Sequence, residues 1–120
     1  MPRKRLQQVA TDALEAIKAR DIAVLDVRKL TTLYDTLIIA SADSTRQVKA
    51  LAHRVRDDLK AAGATIVGTE GEASGEWVLV DAGDLVVHVM QPAVRAYYNL
   101  EELWAPPAPR RTATQDRAAA

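Results

Sequence analysis

The sequence predicts a single α/β domain built on a mixed sheet of about five strands. Three observations support this fold class. Two long segments repeat apolar residues at three- and four-residue steps, which is typical of amphipathic helices. Short runs rich in valine, leucine and isoleucine lie between and after these segments, as expected for strands. The length of 120 residues, with 48% hydrophobic and 27% charged residues, suits one globular core.

The N-terminal part of the chain begins with a helix and continues with two strands. An apolar stripe over residues 6–17 predicts the first helix, and the run IAVLDVR over residues 22–28 predicts the first strand. The run TLIIAS over residues 36–41 is almost continuously apolar. We therefore expect this second strand to lie inside the sheet, buried on both faces.

A capping box marks the start of the second helix. Ser44 stands at the N-cap position and Gln47 three residues later, so each side chain can satisfy a free backbone N–H. Gly63 favours a left-handed stop at the end of this helix. One helix face is basic and is interpreted either as a solvated surface or as a phosphate-binding stripe; its members are Arg46, Lys49, His53, Arg56 and Lys60.

The C-terminal part is predicted to contain three strands and a final helix. Residues 65–67 predict a short strand, and the glycine- and glutamate-rich residues 68–76 predict a loop. Residues 77–81 and 85–90 predict two strands joined by a tight hairpin turn. Pro92 suits the first turn of a helix that continues through residue 98.

Composition separates a folded domain from a tail and excludes several classes of protein. We expect the domain to span residues 1–104 and the Pro-, Arg- and Ala-rich residues 105–120 to form a disordered tail. The absence of cysteine excludes disulfides and thiolate zinc sites. Since no apolar run approaches about 20 residues and no export signal is evident, we expect a cytoplasmic protein without a membrane partner.

Charge is balanced overall but divided along the chain. Residues 1–60 carry 12 Lys/Arg and 8 Asp/Glu, a net of +4, whereas residues 61–104 carry Arg95 and seven carboxylates, a net of −6. A uniformly basic nucleic-acid binder is therefore not indicated. The acidic segment is either a solubilising surface or a surface that fits a basic partner.

The strand pattern predicts two different sheet faces. Alternation assigns aliphatic side chains to the face under the long helices and a mixed set to the second face, namely Trp77, Leu79, Asp81, His88 and Met90. Two interpretations are open. The second face is a partly exposed binding surface, or Tyr97, Tyr98 and Trp104 fold over Trp77 and bury it.

Catalytic motifs are sparse. The sequence contains no P-loop, no dinucleotide-binding glycine motif and no nucleophile elbow. His88 with Asp81 and Asp84 can be interpreted as an acid–base or metal-binding trio, or as a strand histidine hydrogen-bonded to a carboxylate. We expect no enzyme activity, no cofactor and no metal.

Several motifs together resemble the ribosomal silencing factor family, also called Iojap-related. The resemblance covers about residues 6–104 and is densest from Trp77 to Trp104. The motifs are Asp26-Val27, Ile38-Ile39-Ala40, Ser44-x-Arg46-Gln47, Gly75-x-Trp77-Val78-Leu79-x-Asp81-x-Gly83-Asp84, Val86-Val87-His88-Val89-Met90 and Arg95-x-x-Tyr98-x-Leu100-Glu101-x-Leu103-Trp104. Ala42 stands where the family usually has glycine, and Met90 where an aromatic residue is common.

The resemblance implies a nucleotidyltransferase-like fold that lacks the catalytic motif and has no transferase activity. It implies binding to the large ribosomal subunit, mainly to its ribosomal protein fourteen. The bound factor would block joining of the small subunit and repress translation under nutrient limitation. A homodimer is possible when the protein is free. An RNA-binding module and a metal-dependent nucleotidyltransferase are the alternatives, although we expect no sequence-specific contact with nucleic acid.

We expect the partner-binding surface to combine the mixed sheet face with the C-terminal segment. Trp77 would be its central aromatic anchor, and the carboxylates would meet basic groups of the partner. The predicted contact residues are Trp77, Leu79, Asp81, Asp84, His88, Met90, Tyr98, Leu100, Glu101 and Trp104.

Overall fold

The computed structural model describes residues 3–104 and contains four helices and five strands in that range. The predicted tail over residues 105–120 lies outside the described residues. In chain order the elements are α1 (Arg3–Ala16), β1 (Arg20–Asp26), β2 (Thr36–Ser41), α2 (Thr45–Ala61), β3 (Gly68–Glu70), β4 (Trp77–Asp81), β5 (Leu85–Met90), α3 (Pro92–Tyr98) and α4 (Leu100–Trp104). The predicted α/β class is confirmed.

The five strands form one mixed sheet in the order β1-β2-β5-β4-β3. β2 and β5 are parallel, and the other three neighbouring pairs are antiparallel. A parallel pair needs a long crossover connection, and here α2, β3 and β4 supply it. β2 has neighbours on both sides and all six of its residues are buried, which confirms the predicted interior strand.

The larger core lies between the sheet and the two long helices, on what we call the helical face. Val78, Val80 and Val87 point to this face and pack with aliphatic side chains of α1 and α2. Strict alternation along β4 and β5 produces this arrangement, because successive strand residues point to opposite faces. The predicted separation of aliphatic and mixed faces is therefore confirmed.

The opposite face of the sheet, called the second face, has a smaller core. Its buried members are Val27, Leu37, Ile39, Val86 and Met90. Tyr34 from the β1–β2 connection, Val94 from α3 and Leu100 from α4 pack against this core. These three residues cover the β1, β2 and β5 side of the second face, and the β3–β4 side has a thinner cover.

The capping box of α2 forms only in part. Ser44 Oγ accepts a hydrogen bond from Gln47 N at 3.0 Å, as predicted. The Gln47 side chain, however, accepts from Asp43 N at 3.4 Å and not from the N-cap residue itself. Gly63, with φ of 101°, lies just beyond the helix end as expected.

Two strand positions differ from the prediction. β3 spans Gly68–Glu70 and not residues 65–67, so the segment predicted as a loop contributes the edge strand. Edge pairing with β4 uses backbone groups and does not require apolar side chains, which is why composition misplaced it. β1 begins at Arg20, two residues earlier than predicted, and its register with β2 shifts between Arg20 and Ala23.

Candidate functional site

Trp77 is the central side chain of the open part of the second face. Its indole is half-buried at the start of β4 and lies between two other rings. The centroid of the His88 imidazole is 5.8 Å away, and that of the Tyr98 ring is 4.9 Å away on the other flank. Both sequence interpretations hold in part, because Tyr98 covers one side of the indole and solvent reaches another.

A recess of about 220 Å³ opens beside the indole and is called the Trp77 recess. It is lined by Glu70, Gly71, Trp77, Leu79 and His88. The recess depends on glycine at position 71, where φ is 91° and an added Cβ would lie 2.0 Å from the Trp77 carbonyl oxygen. A volume of this size is comparable with that of one large side chain.

Glu70 and Gly71 were not among the predicted site residues. They belong to the segment that the sequence predicts to be a loop, and β3 pairs Glu70 directly with Leu79. The exposed Glu70 side chain therefore adds a carboxylate to the otherwise largely apolar lining of the recess. The three glycines of residues 68–76 were the available signal, since glycine marks close backbone approach.

His88 forms a hydrogen bond to the indole and not to a carboxylate, which corrects the sequence interpretation. Trp77 Nε1 donates to His88 Nδ1 over 2.8 Å. Burial lowers the pKa of His88 to about 4, because the charged imidazolium would lose its hydration. The ring is therefore neutral near pH 7.

The Asp81, Asp84 and His88 trio does not assemble. Asp81 Oδ1 accepts a hydrogen bond from Gly83 N at 2.9 Å and so shapes the β4–β5 hairpin, while Asp84 is exposed at the hairpin tip. Asp81 also affects Tyr34 of the β1–β2 connection: burial, and secondarily the negative charge of Asp81, raise the pKa of the Tyr34 hydroxyl. Within residues 3–104 no group of three or more histidines and carboxylates has an arrangement that could hold a metal ion.

A guanidinium clamp that the sequence analysis missed fastens the C-terminal helices to the sheet. Arg95 Nε and Nη2 donate to the two carboxylate oxygens of Glu101 at 3.0 and 2.6 Å, and Nη1 donates to Ser41 Oγ at 2.8 Å. These bonds lower the pKa of the Glu101 carboxyl. Arg95 is the single cation among seven carboxylates in residues 61–104, and that isolation was the available signal.

Three predicted contact residues have structural roles in the monomer. Met90 has no exposed surface and packs in the second-face core, so it does not reach a partner directly. Leu100 packs against the same core. The Glu101 carboxylate is paired with Arg95 within the monomer, and its side chain is 35% exposed. The side chain of Trp104 lies outside the described part of the structure.

The remaining predicted residues stay accessible. Leu79 and His88 are half-buried in the Trp77 recess, and Tyr98 is 54% exposed. Tyr97, which is 81% exposed, contacts Tyr98 edge-on with ring centroids 5.0 Å apart. The accessible surface is thus an aromatic and apolar patch with acidic groups at its margin.

Two of the five residues on the basic face of α2 lie beside carboxylates. His53 Nε2 lies 2.9 Å from Glu72 Oε2, and Arg56 Nε lies 3.4 Å from Asp57 Oδ1. Within the described part of the chain, Arg46, Lys49 and Lys60 form no ion pair, so the phosphate-binding interpretation of this face stays a prediction. None of the helices within residues 3–104 combines the length and the apolar composition that a membrane-spanning helix requires.

Comparisons with known proteins agree with this description. The family model described as "Ribosomal silencing factor during starvation" matches residues 2–120. A ribosomal silencing factor from Chromobacterium violaceum is 59% identical over 101 residues, covering 84% of this chain and 83% of that protein. A mouse protein named "Mitochondrial assembly of ribosomal large subunit protein 1" is 37% identical over 89 residues, covering 72% of this chain and 39% of that one.

A solved structure has the same fold. A crystal structure of a Chromobacterium violaceum protein superposes with a TM-score of 0.86 at 53% identity, covering 98% of each chain. The resemblance inferred from the strand and helix motifs is confirmed, and the chain belongs to the ribosomal silencing factor family.

Proposed function

We propose that the protein binds the large ribosomal subunit and prevents the small subunit from joining it. Translation is thereby repressed when nutrients are limiting. Membership of the ribosomal silencing factor family supports this proposal, and a mouse relative carries the large subunit in its name. The structural observation that carries it is the half-exposed Trp77 beside an open recess, on the β3–β4 side of the second face, where Tyr98 of α3 covers only one side of the indole.

The chemistry of this surface suits docking to a protein. Tryptophan is one of the residue types enriched among interface anchors, and truncating such an anchor typically costs about 2 kcal/mol or more. Leu79 and Tyr98 extend the apolar area around it. Met90 and Leu100 support that area from beneath.

The charge at the margin favours a basic partner. Glu70 and Asp84 are exposed on the β3–β4 side and the hairpin tip, and Arg95 is already neutralised by Glu101. Like charges would disfavour an acidic partner here, whereas a basic one would be drawn in more rapidly at low salt. We propose the large-subunit ribosomal protein fourteen as the main contact, in line with the resemblance described above.

The proposed mechanism is steric and stoichiometric. The described chain measures 45 × 32 × 22 Å, which is large enough to occupy part of a subunit-facing surface. One bound copy per large subunit would then suffice, and no substrate would be consumed. The homodimer of the free protein stays a prediction.

Sedimentation of ribosomal subunits tests this proposal. Purified protein added at saturation should reduce the joined particle and travel with the large subunit. Trp77→Ala should weaken the co-sedimentation roughly 30-fold while circular dichroism shows a folded domain. Val24→Ala is the matched control, since Val24 is an apolar residue 38% exposed on the opposite face of the sheet. Normal joining of subunits at saturating protein would contradict the function.

The Trp77→Ala result separately tests the docking surface. If this variant binds as tightly as the wild-type protein while the subunits still fail to join, the function stands and the surface is wrong. If the control variant loses binding to the same extent, the opposite face of the sheet is the docking surface instead.

A further inference from the structure

The indole of Trp77 and the imidazole of His88 are joined across two antiparallel strands. β4 and β5 pair Leu79 with His88, so Trp77 is the diagonal neighbour of His88 on the second face. Diagonal neighbours are within reach of each other only when their side chains are long or aromatic. The bond of 2.8 Å between Nε1 and Nδ1 is therefore a side-chain contact that the strand register makes possible.

This bond determines the tautomer of the neutral His88 ring. An indole N–H can only donate, so Nδ1 of His88 must accept and the single proton of the neutral ring must lie on Nε2. A doubly protonated ring would present an N–H to the indole N–H, and the bond would be lost. The indole orientation and the neutral imidazole therefore depend on each other.

Burial keeps His88 neutral over the physiological range. Loss of hydration lowers its pKa to about 4. The titratable and charged groups that the surrounding elements contribute to this face are Glu70, Asp81, Tyr34, Tyr98, Arg95 and Glu101. Arg95 and Glu101 neutralise each other. The lowered pKa of His88 has burial as its cause.

The indole is held on two sides and open on a third. His88 fixes its N–H edge, Tyr98 packs at 4.9 Å with the rings tilted by 48°, and the recess bounds the remaining side. A side chain fixed before association loses less conformational freedom on binding than one that must be ordered by the partner. A half-exposed tryptophan without such a bond would sample several rotamers.

We propose that His88 is a positioning residue for docking: its Nδ1 holds the Trp77 indole in the orientation that the partner meets. This inference rests on the proposed function, since it assigns to His88 a part in the binding that Trp77 anchors. His88 acts through Trp77 and needs no contact of its own with the partner.

The experiment compares two substitutions that differ in one property. His88→Asn keeps an acceptor oxygen near the position of Nδ1, whereas His88→Phe keeps a planar ring and has no acceptor. The readout is the rate at which the Trp77 indole N–H exchanges with solvent, followed in ¹⁵N–¹H spectra. The resonance is assigned by its absence from the spectrum of Trp77→Phe. Exchange should be slow in wild-type protein and in His88→Asn and faster in His88→Phe, and the dispersion of the backbone amides checks that each variant is folded.

Binding to large subunits is then measured for the same proteins. We expect His88→Phe to bind about 3- to 10-fold more weakly than the wild type and His88→Asn to bind within about twofold of it. A spectroscopic signature adds a second criterion: the wild-type indole N–H resonance should shift with a midpoint near pH 4, as His88 becomes charged.

Two results would overturn the inference. One is a folded His88→Phe that binds as tightly as the wild type while Trp77→Ala has lost binding; the proposed function then survives alone. The other is an indole N–H equally protected from solvent exchange in His88→Phe and in wild-type protein.

If the wild type does not bind subunits at all, the proposed function fails, and the exchange comparison still decides whether His88 holds the indole. If His88→Phe is unfolded, a wild-type Trp77 indole N–H that exchanges with solvent as fast as a free indole N–H overturns the inference, because the bond to His88 Nδ1 would then be absent.

Discussion

Removing the Arg95 clamp should loosen the C-terminal helices from the second face. The clamp links α3, the Glu101 carboxylate of α4 and the Ser41 hydroxyl of β2 through three hydrogen bonds of 2.6 to 3.0 Å. Tyr98 lies between Arg95 and Glu101 in the chain and packs on Trp77. Arg95→Met keeps the aliphatic stem but removes all three donors, so it isolates the polar contribution.

The size of the effect follows from exposure. A hydrogen bond to a charged group contributes about 1.5–3 kcal/mol when it is well buried. The Arg95 side chain is 11% exposed and that of Glu101 35%, so solvent screens the pair and about 1–2 kcal/mol is a better expectation for their coupling. Arg95→Met also leaves the Ser41 hydroxyl, only 2% exposed, without its donor. We therefore expect a total loss of about 2–4 kcal/mol in the free energy of unfolding.

A double-mutant cycle with urea unfolding measures this coupling. The four proteins are wild type, Arg95→Met, Glu101→Gln and the double variant, and their unfolding free energies give the interaction term. Because the pair lowers the pKa of Glu101, its contribution is fully present above the ordinary carboxyl value of 4.5 and is lost as pH falls through the lowered value. A coupling below about 0.5 kcal/mol at pH 7 would refute the clamp.

Three further expectations concern stability. Folding lowers the pKa of His88 from 6.5 to about 4, so the unfolded state takes up the proton first as pH falls. The unfolding free energy should therefore fall by about 2–4 kcal/mol as pH drops through that interval. The same pH titration of His88→Asn should lack the part of this slope that His88 contributes. Ser44→Ala should lower the unfolding free energy by about 1 kcal/mol in urea, and no change would contradict the cap. Gly71→Ala should lower the melting temperature more than Gly83→Ala: both have positive φ, but an added Cβ meets the Trp77 carbonyl in the first and open space in the second. Equal losses would show that the close approach is unimportant.

Local patterns were sufficient for most of the architecture. The continuous apolar run of β2 predicted an interior strand, and the alternation along β4 and β5 separated the two faces correctly, because both signals are properties of successive residues. The edge strand Gly68–Glu70 was misplaced, since its pairing depends on the backbone of β4 and not on its own composition. The Trp77 recess therefore could not be completed from sequence.

The order of residues was enough to predict the helical face, the second face and the presence of Trp77 and His88 on the latter. The packed fold was needed to show that these two side chains bond to each other, that Met90 is buried and that Glu101 is paired internally. These contacts join different elements of the fold, and Arg95 and Ser41 are 54 positions apart, so periodicity along the chain cannot reveal them. How far the C-terminal helices reach across a face depends on such contacts, and that reach decides which part of the second face stays open.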